Sequence, residues 1–285
     1  MTDMTEQRNK KNLLEDVQGN ADTRGIALKT AGVSKVTMPL KVLQKDARIQ
    51  TVHATTDMGV FLPADQKGTH MSRFIILLNQ WSQEHILTAN LHTVLSAVKK
   101  ELKSSQATIR FQFPFFINKK APVTNHCAPM EHHIEIRGNM NETDTLTSVL
   151  GITFPIATLC PCSKAISDYG AHNQRAELRV KLLLDNTQIT TDQTPMLWIE
   201  DVVEKLDEAA SCPVYPILKR TDEKYVTERQ YDNPKFVEDV VRDGSLILNE
   251  LPAIQGYTIE VEALESIHGH NAFAYQEHQW PYPRY

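Results

Sequence analysis

Between Thr158 and Val180 the chain reads Thr-Leu-Cys-Pro-Cys-Ser-Lys-Ala-Ile-Ser-Asp-Tyr-Gly-Ala-His-Asn-Gln-Arg-Ala-Glu-Leu-Arg-Val. Thiols, an imidazole, a lysine and two arginines thus share one glycine-containing segment. Cys160 precedes His172 by twelve positions, too far for one helix face. A metal held by both has to sit where a strand end meets a returning loop. Thiolate and imidazole suit zinc or iron, and a catalytic site keeps one coordination position open for water. Pro161 restricts Cys160 to extended geometry and stiffens the turn. Cys162 can ligate alongside Cys160, but one intervening residue gives an awkward bite, so packing beside the site or a redox-sensitive pair is the better expectation.

Three further segments concentrate charge. Lys67-Gly-Thr-His-Met-Ser-Arg73 is a Gly-led loop entering a helix, where Thr69 and Ser72 can cap and Lys67, His70 and Arg73 can face an anion. Leu218-Lys-Arg-Thr-Asp-Glu-Lys-Tyr-Val-Thr-Glu228 alternates cations with carboxylates and reads as a loop surface. Glu265-Ser-Ile-His-Gly-His270 places two imidazoles two residues apart beside a carboxylate, a pattern suited to metal binding or proton transfer.

These groups need elements to position them. Val33 to Leu43 and Ile49 to Leu62 have strand-like content, and Met71 to Trp81 and His85 to Leu102 have helical apolar spacing. Ala107 to Ile117 and His132 to Arg137 return to period two. The order then recurs: strands at Thr145 to Leu159 and Arg175 to Leu184, helices at 196–210 and Pro234 to Glu250, strands at Gly256 to Ala263 and His270 to Tyr275. Asp232 or Asn233 is expected to cap the last helix, with Pro234 in its first turn and Glu238 and Asp239 at the positive end of its dipole. The expectation is an α+β chain of two ββααββ halves: a polar arm over 1–30, a first unit over 31–140 and a second over 141–285, with the polar stretch Gly138 to Asp144 at the seam.

The 285 residues are enough for two hydrophobic cores or one duplicated fold. A hydrophobic fraction of 41%, a charged fraction of 23% and a net charge of −5 describe an ordinary globular protein with no general pull toward nucleic acid. Residues 1–25 lack an apolar signal region, and no segment holds about eighteen uninterrupted apolar residues. No membrane association is expected, and a cytoplasmic setting is. Four cysteines are too few and too scattered for a disulfide scaffold, and Cys127 and Cys212 read as small buried hydrophobes.

Together these segments resemble the type IB GTP cyclohydrolases. The resemblance rests on Leu159-Cys-Pro-Cys-Ser-Lys-x-Ile-Ser-x-x-x-Ala-His-Asn-Gln-Arg175, Leu218-Lys-Arg-x-Asp-Glu-Lys-x-Val-Thr-Glu228, Asn233-Pro-x-Phe-Val-Glu-Asp239, Glu265-Ser-Ile-His-x-His270 and the Lys67 to Arg73 loop, in the family's order from about Val33 to Tyr275. It implies tunnelling-fold (T-fold) units, two tandem ββααββ per chain with antiparallel sheets and helices on one face, assembled as a homotetramer with interfacial active sites. The implied reaction hydrolyses and rearranges GTP to 7,8-dihydroneopterin triphosphate with release of formate, the first step toward folate-type pterins.

By motif, Cys160 and His172 match metal ligands and Glu223 an acidic ligand, while His268 is the remaining ligand or proton donor, with His270 its rival. A divalent Zn, Mn or Fe ion is the implied cofactor. Glu238 matches the acid that anchors a purine edge, since two carboxylate oxygens can accept from guanine N1–H and N2–H together. Its alternative role is to stabilise the helix dipole. Lys67, His70, Arg73, Lys164, Arg175, Lys219 and Arg220 form the pool of triphosphate binders, led by Arg175 and Arg73 for their fork geometry. Rival expectations are an archaeal-type cyclohydrolase giving a cyclic phosphate, a non-catalytic nucleotide or metal module, and nitrile reduction by a relative of the same fold.

Overall fold

The computed structural model of the chain describes residues 16–86, 90–186 and 197–284. The first half contains β1 (Leu28–Leu43), β2 (Ile49–Leu62), α1 (Met71–Trp81), β3 (His85–Ile86), α2 (Leu91–Leu102), β4 (Ala107–Lys120) and β5 (Cys127–Met140). The second contains β6 (Leu146–Leu159), α3 (Pro161–Ile166), β7 (Asn173–Leu184), α4 (Ile199–Asp207), β8 (Cys212–Pro213), α5 (Arg220–Asp232), α6 (Val237–Asn249), β9 (Ile254–Ala263) and β10 (Ala272–His278).

The long strands lie in the order β10-β9-β7-β6-β5-β4-β2-β1, every neighbouring pair antiparallel. Each half thus contributes four strands in chain order around a helical insert, the duplicated ββααββ plan of an α+β protein. The halves join through β5 and β6, which pair from Met140↔Leu146 to His133↔Thr153. Beyond Thr153, β8 pairs with β6 at Ile156 and Ala157.

Period-two alternation makes the sheet two-faced. On β4, Ala107, Ile109, Phe111, Phe113 and Phe115 are buried against the helices, each large side chain contributing roughly 1.5–3 kcal/mol. Phe74, Leu77 and Leu78 of α1 and Leu91, Val94, Leu95 and Val98 of α2 meet them from above. In the second half Val202 and Leu206 of α4 and Val240, Val241 and Leu248 of α6 do the same. Gly244 lets α6 approach the sheet closely, because a Cβ there would lie 2.4 Å from Ile259 Cδ1. The opposite face carries cross-strand ion pairs, Arg110 with Glu135 at 2.6 Å and Arg179 with Glu260 and Glu262 at 2.9 and 3.0 Å.

Several elements depart from expectation. The charged stretch from Leu218 contains α5 rather than a loop, because Asp222 accepts the Lys219 amide at 2.9 Å and Lys224 pairs with Glu228 one turn on. The last helix is capped by neither Asp232 nor Asn233: the Asn233 amide is engaged by the Ala210 and Ser211 carbonyls. That helix begins after Phe236, so Pro234 lies before its first turn, while Glu238 and Asp239 occupy the turn as expected. Thr69 and Ser72 do not cap α1; His70 holds the N-cap position without a side-chain bond. His85 and Ile86 pair in parallel with Lys41 and Val42, and α2 starts only at Leu91. Strand β1 begins at Leu28, inside the expected polar arm, whose first fifteen residues lie outside the described ones. Residue 196, the expected start of α4, also lies outside them. Cys212 is buried, which pushes its thiol up to about 11, whereas Cys127 opens β5 and is exposed.

Candidate active site

Strand β6 ends at Leu159, and Cys160 becomes the N-cap of α3, its Sγ accepting the Ser163 amide at 3.4 Å. The chain returns at His172, whose carbonyl accepts the Cys160 amide at 3.1 Å, so the thiol and imidazole share one strand end and returning loop. Ser163 bridges the two: its Oγ donates to the Cys160 carbonyl at 3.1 Å and accepts the His172 amide at 3.2 Å.

The 264–271 loop brings in further imidazoles. His268 meets His172 edge to face with ring centroids 6.3 Å apart, and His270 stacks on His268 at 5.3 Å. Ser266 Oγ lies 3.4 Å from His172 Nδ1, and Gln174 Oε1 lies 2.9 Å from the same nitrogen. Cys162 is exposed on α3, beside the cluster in sequence.

Helix α5 closes one side. Asn173 Nδ2 donates to Gln230 Oε1 at 2.7 Å, and Lys164 Nζ donates to the Tyr231 carbonyl while lying 4.2 Å from that ring's centroid. Glu223 stands on the first turn of α5, exposed and seven positions before Gln230, roughly 10 Å along the axis at 1.5 Å per residue. Two turns apart, the two residues share a face. The N-terminus of α5 is anchored by Asp222, which accepts the Val123 and Thr124 amides at 2.9 Å each and the Thr124 hydroxyl at 2.7 Å. Burial alone would raise that carboxyl, but the bonds from Thr124, Lys219 and Val123 hold it well below the usual carboxylate range.

The Lys235 amide donates to the Leu159 carbonyl at 3.1 Å, tying the segment that leads into α6, with exposed Glu238 in its first turn, to the end of β6. Lys219 and Arg220 are exposed at the start of α5. Arg175 belongs to the odd-numbered positions of β7 with Asn173, Glu177 and Arg179, on the face of the strand opposite Gln174.

The Lys67 to Arg73 cluster lies elsewhere. Strand β2 begins at the Cys160 end of the sheet and finishes at Leu62, near the start of β4, so this loop is separated from Cys160 by the length of β4, roughly 40 Å at 3.3 Å per residue. There Arg73 Nη1 donates to the Glu101 carbonyl at 3.2 Å, and His70 Nε2 lies 3.4 Å from Asp16 Oδ2.

The donor chemistry at the Cys160 end, one thiol with adjoining imidazoles, fits a borderline divalent ion. Among the described residues no three His, Cys, Asp and Glu side chains form a group placed to hold a metal ion. His172 adjoins Cys160 through its backbone and His268 through its ring, and Glu223 stands on the first turn of α5. Sequence reasoning missed Ser163, Gln174 and Ser266, which contact Cys160 or His172, and Gln230, which bonds the adjoining Asn173. The His172 to Gln174 spacing was a usable signal, since positions two apart on a strand share a face.

A family model described as type I GTP cyclohydrolase folE2 matches residues 14–274. The chain is 47% identical over 262 residues to "GTP cyclohydrolase FolE2" of Fervidobacterium nodosum, covering 92% of this chain and 96% of that one. It is 43% identical to the protein of the same name from Thiobacillus denitrificans, over 93% of this chain and 94% of that one. In structure it is similar to a hyperthermostable urate oxidase mutant from Bacillus sp. TB-90, with a TM-score of 0.50 and 11% identity across 88% of this chain and 99% of that one, a likeness of fold alone.

Proposed function

We infer the chemistry of this chain from its family: it belongs to the type I GTP cyclohydrolases of the FolE2 kind, and it hydrolyses and rearranges GTP to 7,8-dihydroneopterin triphosphate with release of formate, at the head of folate-type pterin synthesis. The observation that carries the siting of this reaction is the backbone bond from the Cys160 amide to the His172 carbonyl at 3.1 Å, which puts the two residues side by side, with the His268 ring 6.3 Å from that of His172.

Cys160 and His172 would hold a divalent Zn, Mn or Fe ion, with Glu223 and His268 as its further ligands. A bound ion of this kind supplies water acidic enough to be a nucleophile near neutral pH. Glu238 accepts from guanine N1–H and N2–H and so turns purine C8 toward the thiol and imidazoles. His268 or His270 hands a proton to the imidazole-ring nitrogen as the C8–N bond breaks, and moves protons again when the formamide is hydrolysed.

The triphosphate is held by cations from the pool of Lys67, His70, Arg73, Lys164, Arg175, Lys219 and Arg220. Their distribution over two ends of the sheet supports a homotetramer in which another copy completes each site. Exposed apolar groups around the cluster, Ile166 at 84%, Tyr169 at 101% and Ile267 at 64%, support the same reading. The chain is read as two units that meet at the β5–β6 turn, the first opening with β1 at Leu28. Among the described residues no helix is long and apolar enough to cross a membrane. The proposed setting is the cytoplasm.

The test is incubation of purified, metal-loaded protein with GTP. Formate and, after oxidation, a fluorescent pterin are expected; a cyclic phosphate product without formate, or unchanged GTP, overturns the reading.

A further inference from the structure

We propose that Gln174 is a positioning residue that fixes which ring nitrogen of His172 carries the proton, so that Nε2 presents its lone pair to a metal ion. The proposal deepens the reading above and rests on His172 being a ligand.

Gln174 follows His172 by two positions at the start of β7, and its cross-strand partner in β6 is Thr158. Thr158 is 1% exposed, and Gln174 Nε2 donates to its Oγ1 at 3.1 Å. With the amide nitrogen turned to Thr158, Oε1 faces His172 Nδ1 at 2.9 Å. A carbonyl oxygen can only accept, so Nδ1 must donate. The Ser266 hydroxyl, 3.4 Å from the same nitrogen, can share that proton as a second acceptor. A neutral imidazole protonated at Nδ1 leaves Nε2 bare, and the ring is held in one rotation by groups on two strands and a loop. Ligating histidines depend on such outer partners for tautomer and orientation, and losing one typically costs 10–100-fold in metal affinity.

The test is the affinity of the full-length protein for Zn and for Mn, measured by competition with a chromophoric chelator and read beside the melting temperature of the metal-free protein. Gln174→Leu is expected to weaken binding roughly 10- to 100-fold at an unchanged metal-free melting temperature. Gln174→Glu, which keeps an acceptor at the same reach, is expected to retain most of the affinity, and Gln174→Lys, a donor only, is not. Thr158→Val, which frees the amide to rotate, is expected to weaken binding to a smaller degree and serves where Gln174→Leu fails to fold. Loss with Glu as large as loss with Leu, or no loss with Leu, overturns the proposal. His172→Ala separates the two levels: if it abolishes binding while the Gln174 variants bind normally, only the positioning role fails, and if it binds metal normally, the ligand reading itself fails.

Discussion

Lys119 Nζ and Asp207 Oδ2 form an ion pair at 2.6 Å with side chains only 13% and 7% exposed, tying the end of β4 to the last turn of α4. The ammonium also lies 5.4 Å from the centroid of the Tyr215 ring. Burial pushes the Asp207 carboxyl up, opposed by the neighbouring ammonium. Removing one partner leaves the other charge buried alone, so Asp207→Leu or Lys119→Met is expected to destabilise by about 3–5 kcal/mol. The double replacement is expected to cost clearly less than the two single changes added together. Urea denaturation of the four proteins measures the coupling; additivity would contradict a paired role.

His132 lines the same cavity of about 670 Å³ as Lys119 and Asp207, between β4, β5, α4 and the β1–β2 turn. It is 1% exposed, and its Nδ1 donates to the Met130 carbonyl at 2.9 Å. Burial lowers its pKa from 6.5 to about 4, with Lys119 acting in the same direction and the Met130 carbonyl against it. The unfolded chain therefore binds this proton first as pH falls, and stability rises with pH. The contribution is complete above about 6.5, is lost progressively down to about 4, and amounts to on the order of 3 kcal/mol. His132→Leu is expected to flatten the stability profile across that window; thermal melts at pH 7 and pH 4.5 that shift equally in both proteins would remove the assignment.

Cys160 stands at a strand end and caps a helix of only six residues, so its side chain bears little on folding. Cys160→Ala is expected to abolish metal binding and turnover while leaving the metal-free melting temperature within a few degrees of the parent. Chelation is expected to halt turnover of the parent protein, with Mn or Zn restoring it and Mg not. A variant that fails to fold would instead make the ion structural.

Glu238 is exposed in the first turn of α6 and free to accept a ligand's donors, which its dipole-stabilising role does not require. Glu238→Gln keeps the helix but replaces one accepting oxygen with a donor. A charge-assisted bond is worth roughly 1.5–3 kcal/mol, so kcat/KM for GTP is expected to fall about 10- to 150-fold. An unchanged kcat/KM with a lowered melting temperature would leave Glu238 only its helix role.

Legibility followed the source of each element's stability. Ile49–Leu62 and Met71–Trp81 lie where period two and helical spacing put them, because apolar burial holds both. Helix α5 buries Asp222 and Gln230 and no apolar residue, so hydrophobic spacing carried no trace of it. Its stability comes from Asp222 gripping residues 123 and 124, almost a hundred positions upstream. At the site, residue types marked Cys160, His172 and His268, whereas the orientation of Gln174 depends on Thr158 in the neighbouring strand. Local sequence also does not encode which end of a sheet a basic loop will occupy, and Lys67 to Arg73 fell at the end away from the thiol.

That separation of the basic loop from the thiol has a genetic reading. Where copies of the chain complete one another's sites, a chain crippled at Arg73 and one crippled at Cys160 can each lend the half that the other lacks. Two inactive alleles expressed in one cell would then regain a fraction of the parental output, and selection would act on any such assembly as well as on the single polypeptide.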